Sequence, residues 1–319
     1  MLTPTRRLRR ELWTRSPVVT VCGAGKVSLI AAEHLRARGI DARSLAGGMK
    51  AWSLAWNSAE VSLPTSRARI VQVRRTGKGC LSYLIGDGGE AVVIDPSLDP
   101  CIYQDVATRN GWAITHVLDT HVHADHLSRA RLLAERTGAT LHLPKMSRVS
   151  YDFAPLSNGG VIGFGSARLT ALHTPGHTLE AMSYLVDGQA LFTGDTLFLN
   201  GVGRPDLEDK AAPAGERAHL LWASLDSLTA LPGELFVLPG HNSAPTAFDS
   251  KPIAATLGEV VTGVPALQLD EDAFVETIFA RLPPTPPNYG HVKMLNEIGE
   301  MPIGDPTDLE AGANRCAVS

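Results

Sequence analysis

Thr120-His121-Val122-His123-Ala124-Asp125-His126 places three imidazoles and one carboxylate within six consecutive positions. Neutral imidazole and carboxylate are both good ligands for borderline divalent metals. A hydrophobic core would find such a cluster costly to desolvate, and a solvated surface gives no reason to concentrate histidine. The cluster follows an apolar run, Ile114-Thr115-His116-Val117-Leu118, that reads as a buried strand. It precedes Leu127–Thr137, which reads as a helix. The histidines therefore sit on a strand-to-helix turn and read as a metal site rather than as helix caps.

One H-x-H-x-D-H cluster cannot complete a coordination sphere, so further donors are expected downstream. Leu172-His173-Thr174-Pro175-Gly176-His177 turns at Pro-Gly and presents His177 on a loop. Leu191-Phe192-Thr193-Gly194-Asp195 aims Asp195 off a strand end, and Phe236-Val237-Leu238-Pro239-Gly240-His241 repeats the device with His241. Each of the three is an ordinary turn residue when taken alone. Together with the first cluster they form an ordered set.

This order and spacing resemble the metallo-β-lactamase superfamily. The resemblance implies an α/β fold, a four-layer αββα sandwich, covering residues 67–247, with a domain over 67–319 that includes a C-terminal extension. Asp87-Gly88-Gly89-Glu90 reads as the hairpin turn between strand runs Leu81–Ile85 and Ala91–Ile94. Asp95 matches the superfamily's early aspartate, which implies a group that orients a metal-bound imidazole rather than a ligand.

The chain has 319 residues and a formal net charge of −4. Without a basic face, nucleic acid is not an expected partner. No apolar run approaches the ~20 residues of a membrane span. The four cysteines, Cys22, Cys80, Cys101 and Cys316, form no C-x-x-C pair, which suits free thiols in a reducing compartment. The basic stretch Arg6–Arg10 is followed at once by Glu11 and reads as a solvated helix face rather than a targeting segment. The expected location is cytoplasmic.

Residues 1–58 read as a different unit. Val18–Val21 is a strand run ending in Cys22, followed by Gly23-Ala24-Gly25-Lys26, a helical pattern, a second strand at Ile40–Ser44, and Leu45-Ala46-Gly47-Gly48-Met49-Lys50-Ala51-Trp52. This resembles the C-terminal half of a rhodanese (sulfurtransferase) domain, whose loop amides hold a sulfur anion on a strand-end cysteine. The resemblance implies Cys22 as a sulfurtransferase cysteine. Val27 stands where rhodaneses commonly carry arginine, and the first half of a rhodanese sheet has no counterpart, so a remnant that supports folding is the favoured expectation. An incomplete sheet also leaves a homo-oligomer open. A linker is expected near Ser58–Ser66, where Pro64, Thr65 and Ser66 break the pattern.

Within the superfamily two reactions compete. A persulfide dioxygenase implies one Fe(II) held by His121, His177 and Asp195. His123, Asp125, His126 and His241 would then orient ligands and move protons, and the partners are a low-molecular-weight thiol persulfide and O₂. A hydrolase of glyoxalase II or lactonase type implies two Zn(II), one on His121, His123 and His177, the other on Asp125, His126 and His241, with Asp195 bridging. A non-enzymatic metal site is third, since open-sided clusters are unlike closed structural zinc sites. Gly201-Val202-Gly203-Arg204-Pro205-Asp206 resembles the G-x-G-R-x-D segment of persulfide dioxygenases, which implies Arg204 as the cation for a substrate anion with Asp206 holding it. Gly312-Ala313-Asn314-Arg315-Cys316 resembles the tail of the same enzymes. The iron dioxygenase is the reading taken forward.

Overall fold

The computed structural model describes residues 17–145, 148–207, 213–244, 246–310 and 315–318, and the chain divides into two compact units, Met1–Ala55 and Trp56–Ser319. The basic stretch Arg6–Arg10 and residues Gly312–Asn314 lie outside the described residues. Among the described residues no helix is long and apolar enough to cross a membrane.

In the smaller unit the run Val18–Thr20 pairs in parallel with Ala42–Ser44, and helix Lys26–Arg36 connects them. Helix Gly48–Ser53 follows. Gly48 has φ 62°, and a Cβ there would lie 2.2 Å from the Cys22 carbonyl oxygen, so only glycine lets this turn close on the cysteine loop. Met49 and Lys50 then donate their N–H groups to the carbonyls of Cys22 and Gly23. Two strands cannot shield their apolar side chains, and Val19, Val21, Val27, Leu29 and Ile30 are exposed.

The larger unit is built on two sheets. The seven-stranded sheet runs in the order Trp56–Val61, Arg69–Arg75, Cys80–Asp87, Glu90–Ile94, Ala113–Leu118, Thr140–Pro144, Ala154–Leu156. Its first four strands are antiparallel and the remainder join in parallel. The six-stranded sheet runs Val161–Phe164, Ala167–His173, Met182–Val186, Ala190–Gly194, Phe236–Pro239, Ala255–Thr256. Side chains alternate between faces along each strand. Ile70, Tyr83, Ile85 and Val92 face Leu169, Ala171, Tyr184 and Phe192 in the core between the sheets. Val71, Leu84 and Val93 point the other way, against Tyr103 and Val106 of helix Pro100–Asn110 and Leu133 of helix Ala130–Thr137. On the far side Val237 packs with Leu221 and Leu225 of helix Ala214–Thr229 and with Phe274 and Ile278 of helix Glu271–Ala280. The result is the expected αββα sandwich.

Two boundaries differ from the sequence reading. The expected linker at 58–66 is in part a strand, because Trp56–Val61 pairs antiparallel with Arg69–Arg75 and buries Ala59 and Val61. The larger unit therefore starts before residue 67. The expected helix over Leu127–Thr137 begins only at Ala130. The N–H groups of Leu127 and Ser128, in the loop before it, donate to Glu310 Oε1 (2.8 Å) and Asn296 Oδ1 (2.9 Å).

Candidate metal centre

All seven donors named from the sequence emerge from strand ends on one side of the sandwich. Asp119–Arg129 is a loop without regular structure after strand Ala113–Leu118, and it carries His121, His123, Asp125 and His126. His177 lies in the turn after Ala167–His173. Asp195 and His241 follow two neighbouring parallel strands, Ala190–Gly194 and Phe236–Pro239, which sets them side by side. The glycines before them permit close approach: a Cβ on Gly240 would lie 2.7 Å from Asp195 Oδ1, and one on Gly194 2.6 Å from Thr120 Oγ1. All seven side chains are buried.

Hydrogen bonds fix which ring nitrogen each histidine offers. Asp95 Oδ2 accepts from Thr120 Oγ1 at 2.9 Å, so Thr120 Oγ1 accepts from His121 Nδ1 at 2.9 Å and His121 Nε2 carries the lone pair. His177 Nδ1 donates to the Arg204 carbonyl at 2.8 Å, leaving Nε2 to point 3.8 Å from Asp195 Oδ2. His241 Nδ1 donates to Asp195 Oδ1 at 2.5 Å. His126 Nδ1 lies 2.9 Å from Asp125 Oδ1. Among the described residues, His121 Nε2, His123 Nδ1, His126 Nε2 and Asp195 Oδ2 are buried without a hydrogen-bond partner. Leaving one such atom unpaired costs about 1–3 kcal/mol, and four in one site fit a divalent metal.

The electrostatics sort the imidazoles. Burial lowers the His121 pKa well below its usual value, with the neighbouring His123 adding to it, which keeps His121 in the neutral form a metal needs. Burial also opposes charge on His123, but Asp95, 3.2 Å from its Nε2, and Asp119 push its pKa well up. Burial opposes ionisation of Asp125 and Asp195 as well, yet the adjacent histidines, His241 foremost, hold both carboxyls low.

The donors fall into groups. One donor atom each from His121, His177 and Asp195 lie within 4.8 Å of one another, as do one each from Cys80, Asp125, His126 and His241, and one each from Asp195, His241 and Cys316. His123 groups with Asp95 and Asp119 instead. Cys80 and Cys316 escaped the sequence reading. Cys80 follows Gly79 as His241 follows Gly240, but at the start of a strand, and an isolated antiparallel bridge pairs Cys80 with His241. Burial raises the Cys80 thiol pKa, yet the charges of His126 and His241 outweigh it and bring it down to about 6. Cys316 precedes the strand Ala317–Val318, which pairs with Gly201–Gly203.

Residues from the C-terminal segment shape the loop from behind. Asn296 Nδ2 donates to the carbonyls of His123 (2.8 Å) and His126 (2.9 Å). Glu310 accepts from Leu127 N through Oε1 and from Arg75 Nη2 at 2.6 Å through Oε2. No local pattern marks either residue.

Arg204 requires a correction. Its side chain is 1% exposed. Nε and Nη2 fork onto Asp206 at 2.7 Å each, and Nη1 donates to the carbonyls of Pro284 (3.3 Å) and Arg315 (3.2 Å). The guanidinium is spent on the C-terminal segment, so Arg204 clasps the tail and, through its own carbonyl, orients His177. Asp206 is its partner, as expected. Cys22, in the smaller unit, accepts from Ser28 N at 3.4 Å.

Residues 75–241 match the family model described as the metallo-beta-lactamase superfamily, and the chain belongs to that superfamily. A hydroxyacylglutathione hydrolase from Rhodopseudomonas palustris (strain BisB18) is 32% identical over 225 residues, 69% of this chain and 82% of that protein. A beta-lactamase hydrolase-like protein from Xylella fastidiosa (strain Temecula1) is 30% identical over 261 residues, 69% of this chain and 58% of that protein. The chain spans about half the length of the beta-lactamase hydrolase-like relatives, 48% to 58%. Among solved structures, a metallo-beta-lactamase from Staphylococcus aureus superposes with a TM-score of 0.67 at 29% identity, covering 74% of each chain. ETHE1 from Myxococcus xanthus gives 0.63 at 29% identity, covering 72% of this chain and 98% of that one.

Proposed function

We propose that the chain is an iron-dependent persulfide dioxygenase. It would oxidise a low-molecular-weight thiol persulfide, such as glutathione persulfide, by RSSH + O₂ + H₂O → RSH + SO₃²⁻ + 2H⁺. One observation carries the reading: His121, His177 and Asp195 are buried and each brings a donor atom within 4.8 Å of the other two. Two imidazoles and one carboxylate are the donor set of mononuclear Fe(II) oxygenases, which leave positions open for substrates. Fe(II) held there would supply a redox-active Lewis acid for the persulfide sulfur and O₂. The Asp95–Thr120 relay and the Arg204 carbonyl turn the free nitrogens of His121 and His177 inward. His241 occupies Asp195 Oδ1 and so leaves Oδ2 as the donor. His123 holds its proton on Nε2 against Asp95, close enough to the site to move one.

The smaller unit supports the same chemistry. The Ser28 hydroxyl, then the backbone N–H groups of Ser28, Val27 and Gly25, bring the Cys22 pKa down to about 7. A sulfurtransferase cysteine needs a stabilised thiolate of this kind, and such a module would make or consume the persulfide that the larger unit oxidises.

A dinuclear zinc thioester hydrolase of glyoxalase II type is the second reading. The buried, unpartnered Nδ1 of His123 favours it, as a third imidazole for a first zinc, and so does the likeness to a hydroxyacylglutathione hydrolase. Equal amounts of O₂ consumed and sulfite formed from glutathione persulfide would support the dioxygenase. Hydrolysis of S-lactoylglutathione without O₂ uptake would support the alternative.

A further inference from the structure

We infer that Glu180 is the buried counter-charge for a divalent metal at the triad, a positioning residue that binds no metal itself. Six carboxylates are buried among the described residues: Asp95, Asp119, Asp125, Glu180, Asp195 and Glu310. Five of them have a basic side chain alongside. His123 lies 3.2 Å from Asp95 and 3.7 Å from Asp119. His241 lies 2.9 Å from Asp125 and 2.5 Å from Asp195, and Arg75 lies 2.6 Å from Glu310. Among the described residues Glu180 has no such partner. It is 3% exposed, its Oε1 accepts from Val122 N at 3.1 Å, and its Oε2 is buried with no hydrogen-bond partner. A buried carboxylate without a cation is costly, so this charge lowers the stability of the metal-free chain.

Its place in the fold shows which charge it answers. Glu180 stands three residues after His177, in the connection between strands Ala167–His173 and Met182–Val186. Val122, whose N–H it holds, directly follows His121. One side chain thus ties the segment of one triad imidazole to the segment of the other. Two neutral imidazoles and one carboxylate leave a divalent ion with at least one positive charge in excess. An excess charge in a buried site is as costly as an unpaired carboxylate, and each relieves the other. Such an attraction needs no contact, because Coulomb energies in a protein interior remain large over several ångströms. This role depends on the charge of the ion and not on the reaction, so it goes beyond the dioxygenase reading and holds for iron or zinc alike.

The test is competition for Zn(II) between a chromophoric chelator and the metal-stripped full-length protein, with thermal unfolding of the metal-free chain alongside. Glu180→Gln keeps an oxygen for Val122 N and removes only the charge. It should bind Zn(II) about 10-fold more weakly, the lower end of the range for groups just beyond the ligands. Its metal-free form should nevertheless unfold at a higher temperature than wild type. Glu180→Ala loses the hydrogen bond as well and should bind about 100-fold more weakly. In iron-loaded protein Glu180→Gln should also raise the Fe(III)/Fe(II) potential, a shift that a purely structural role would not produce. Wild-type Zn(II) affinity in Glu180→Gln, or a metal-free Glu180→Gln chain less stable than wild type, overturns the inference. O₂ uptake with glutathione persulfide, measured on iron-loaded wild type, keeps the two claims apart. Unchanged Zn(II) affinity in Glu180→Gln with O₂ uptake removes the counter-charge alone, and weakened affinity without O₂ uptake removes the dioxygenase reading alone.

Discussion

Asn296 donates its side-chain amide to the backbone carbonyl of His123 at 2.8 Å, across 173 residues of sequence. The same Nδ2 reaches the His126 carbonyl, and Oδ1 accepts from Ser128 N. One buried amide thus sets the path of the loop that carries four of the seven donors. Asn296→Ala should cost about 1–3 kcal/mol, the range for leaving buried groups unsatisfied, and should weaken metal binding as well. Asn296→Asp should be worse, because it turns a carboxylate oxygen toward two carbonyls. Urea unfolding with and without metal checks both, and equal behaviour of the two variants would sink the account of the loop.

Asp95 acts at one remove from the metal. It sits at φ 51°, accepts from Thr120 N at 2.7 Å and from Thr120 Oγ1 at 2.9 Å, and lies 3.2 Å from His123 Nε2. Asp95→Asn tolerates the left-handed backbone but disrupts the relay to His121. Metal affinity should fall about 10–100-fold, as for other groups that orient a metal-bound imidazole. Asp95→Ala should add about 1–2 kcal/mol of lost stability from the left-handed conformation. Chelator competition and thermal unfolding measure the two effects separately.

Glu310 and Arg75 form a fully buried ion pair at 2.6 Å. Burial opposes the Glu310 carboxylate, but Arg75 and then Arg129 outweigh it and lower its pKa. A depressed carboxyl contributes stability above its unfolded value of about 4.3, and that contribution is lost as pH falls below it toward the folded value. The wild-type unfolding midpoint should therefore drop through that acid window more steeply than that of Glu310→Gln. At neutral pH Glu310→Gln should be less stable by about 3–5 kcal/mol, the cost of breaking a buried pair from one side. Parallel pH curves would show that the pair does not contribute in this way.

Cys22 should behave as a reactive thiol. With its pKa near 7 rather than the usual 9, alkylation by iodoacetamide should be half-maximal near pH 7 and fall below it as the thiolate is protonated. Ser28→Ala removes the largest cause of the shift and should move the midpoint upward. A midpoint unchanged in Ser28→Ala would rule out the serine as the cause.

What the sequence disclosed was local. The Asp87–Glu90 hairpin is written in turn chemistry, and Gly88 and Gly89 do adopt φ 58° and 90°. His177, Asp195 and His241 announce themselves as donors just after a turn glycine, because the fold needs the glycine for close approach. Cys80 follows the same rule but opens a strand instead of closing one, so its meeting with His241 depends on sheet register. Asn296 and Glu310 reach the metal loop across 168 to 183 residues, and no periodicity encodes such a contact. Arg204 shows the remaining gap: its charge was visible, but its direction is set by Asp206 and by the carbonyls of Pro284 and Arg315, which only the folded chain brings near.

The central claim is that His121, His177 and Asp195 hold a catalytic iron. Protein purified without oxygen should carry one iron per chain in the triad and consume O₂ with glutathione persulfide, and Asp195→Ala should lose both the iron and the O₂ uptake. Two zinc ions per chain, no O₂ uptake and turnover of S-lactoylglutathione would contradict it.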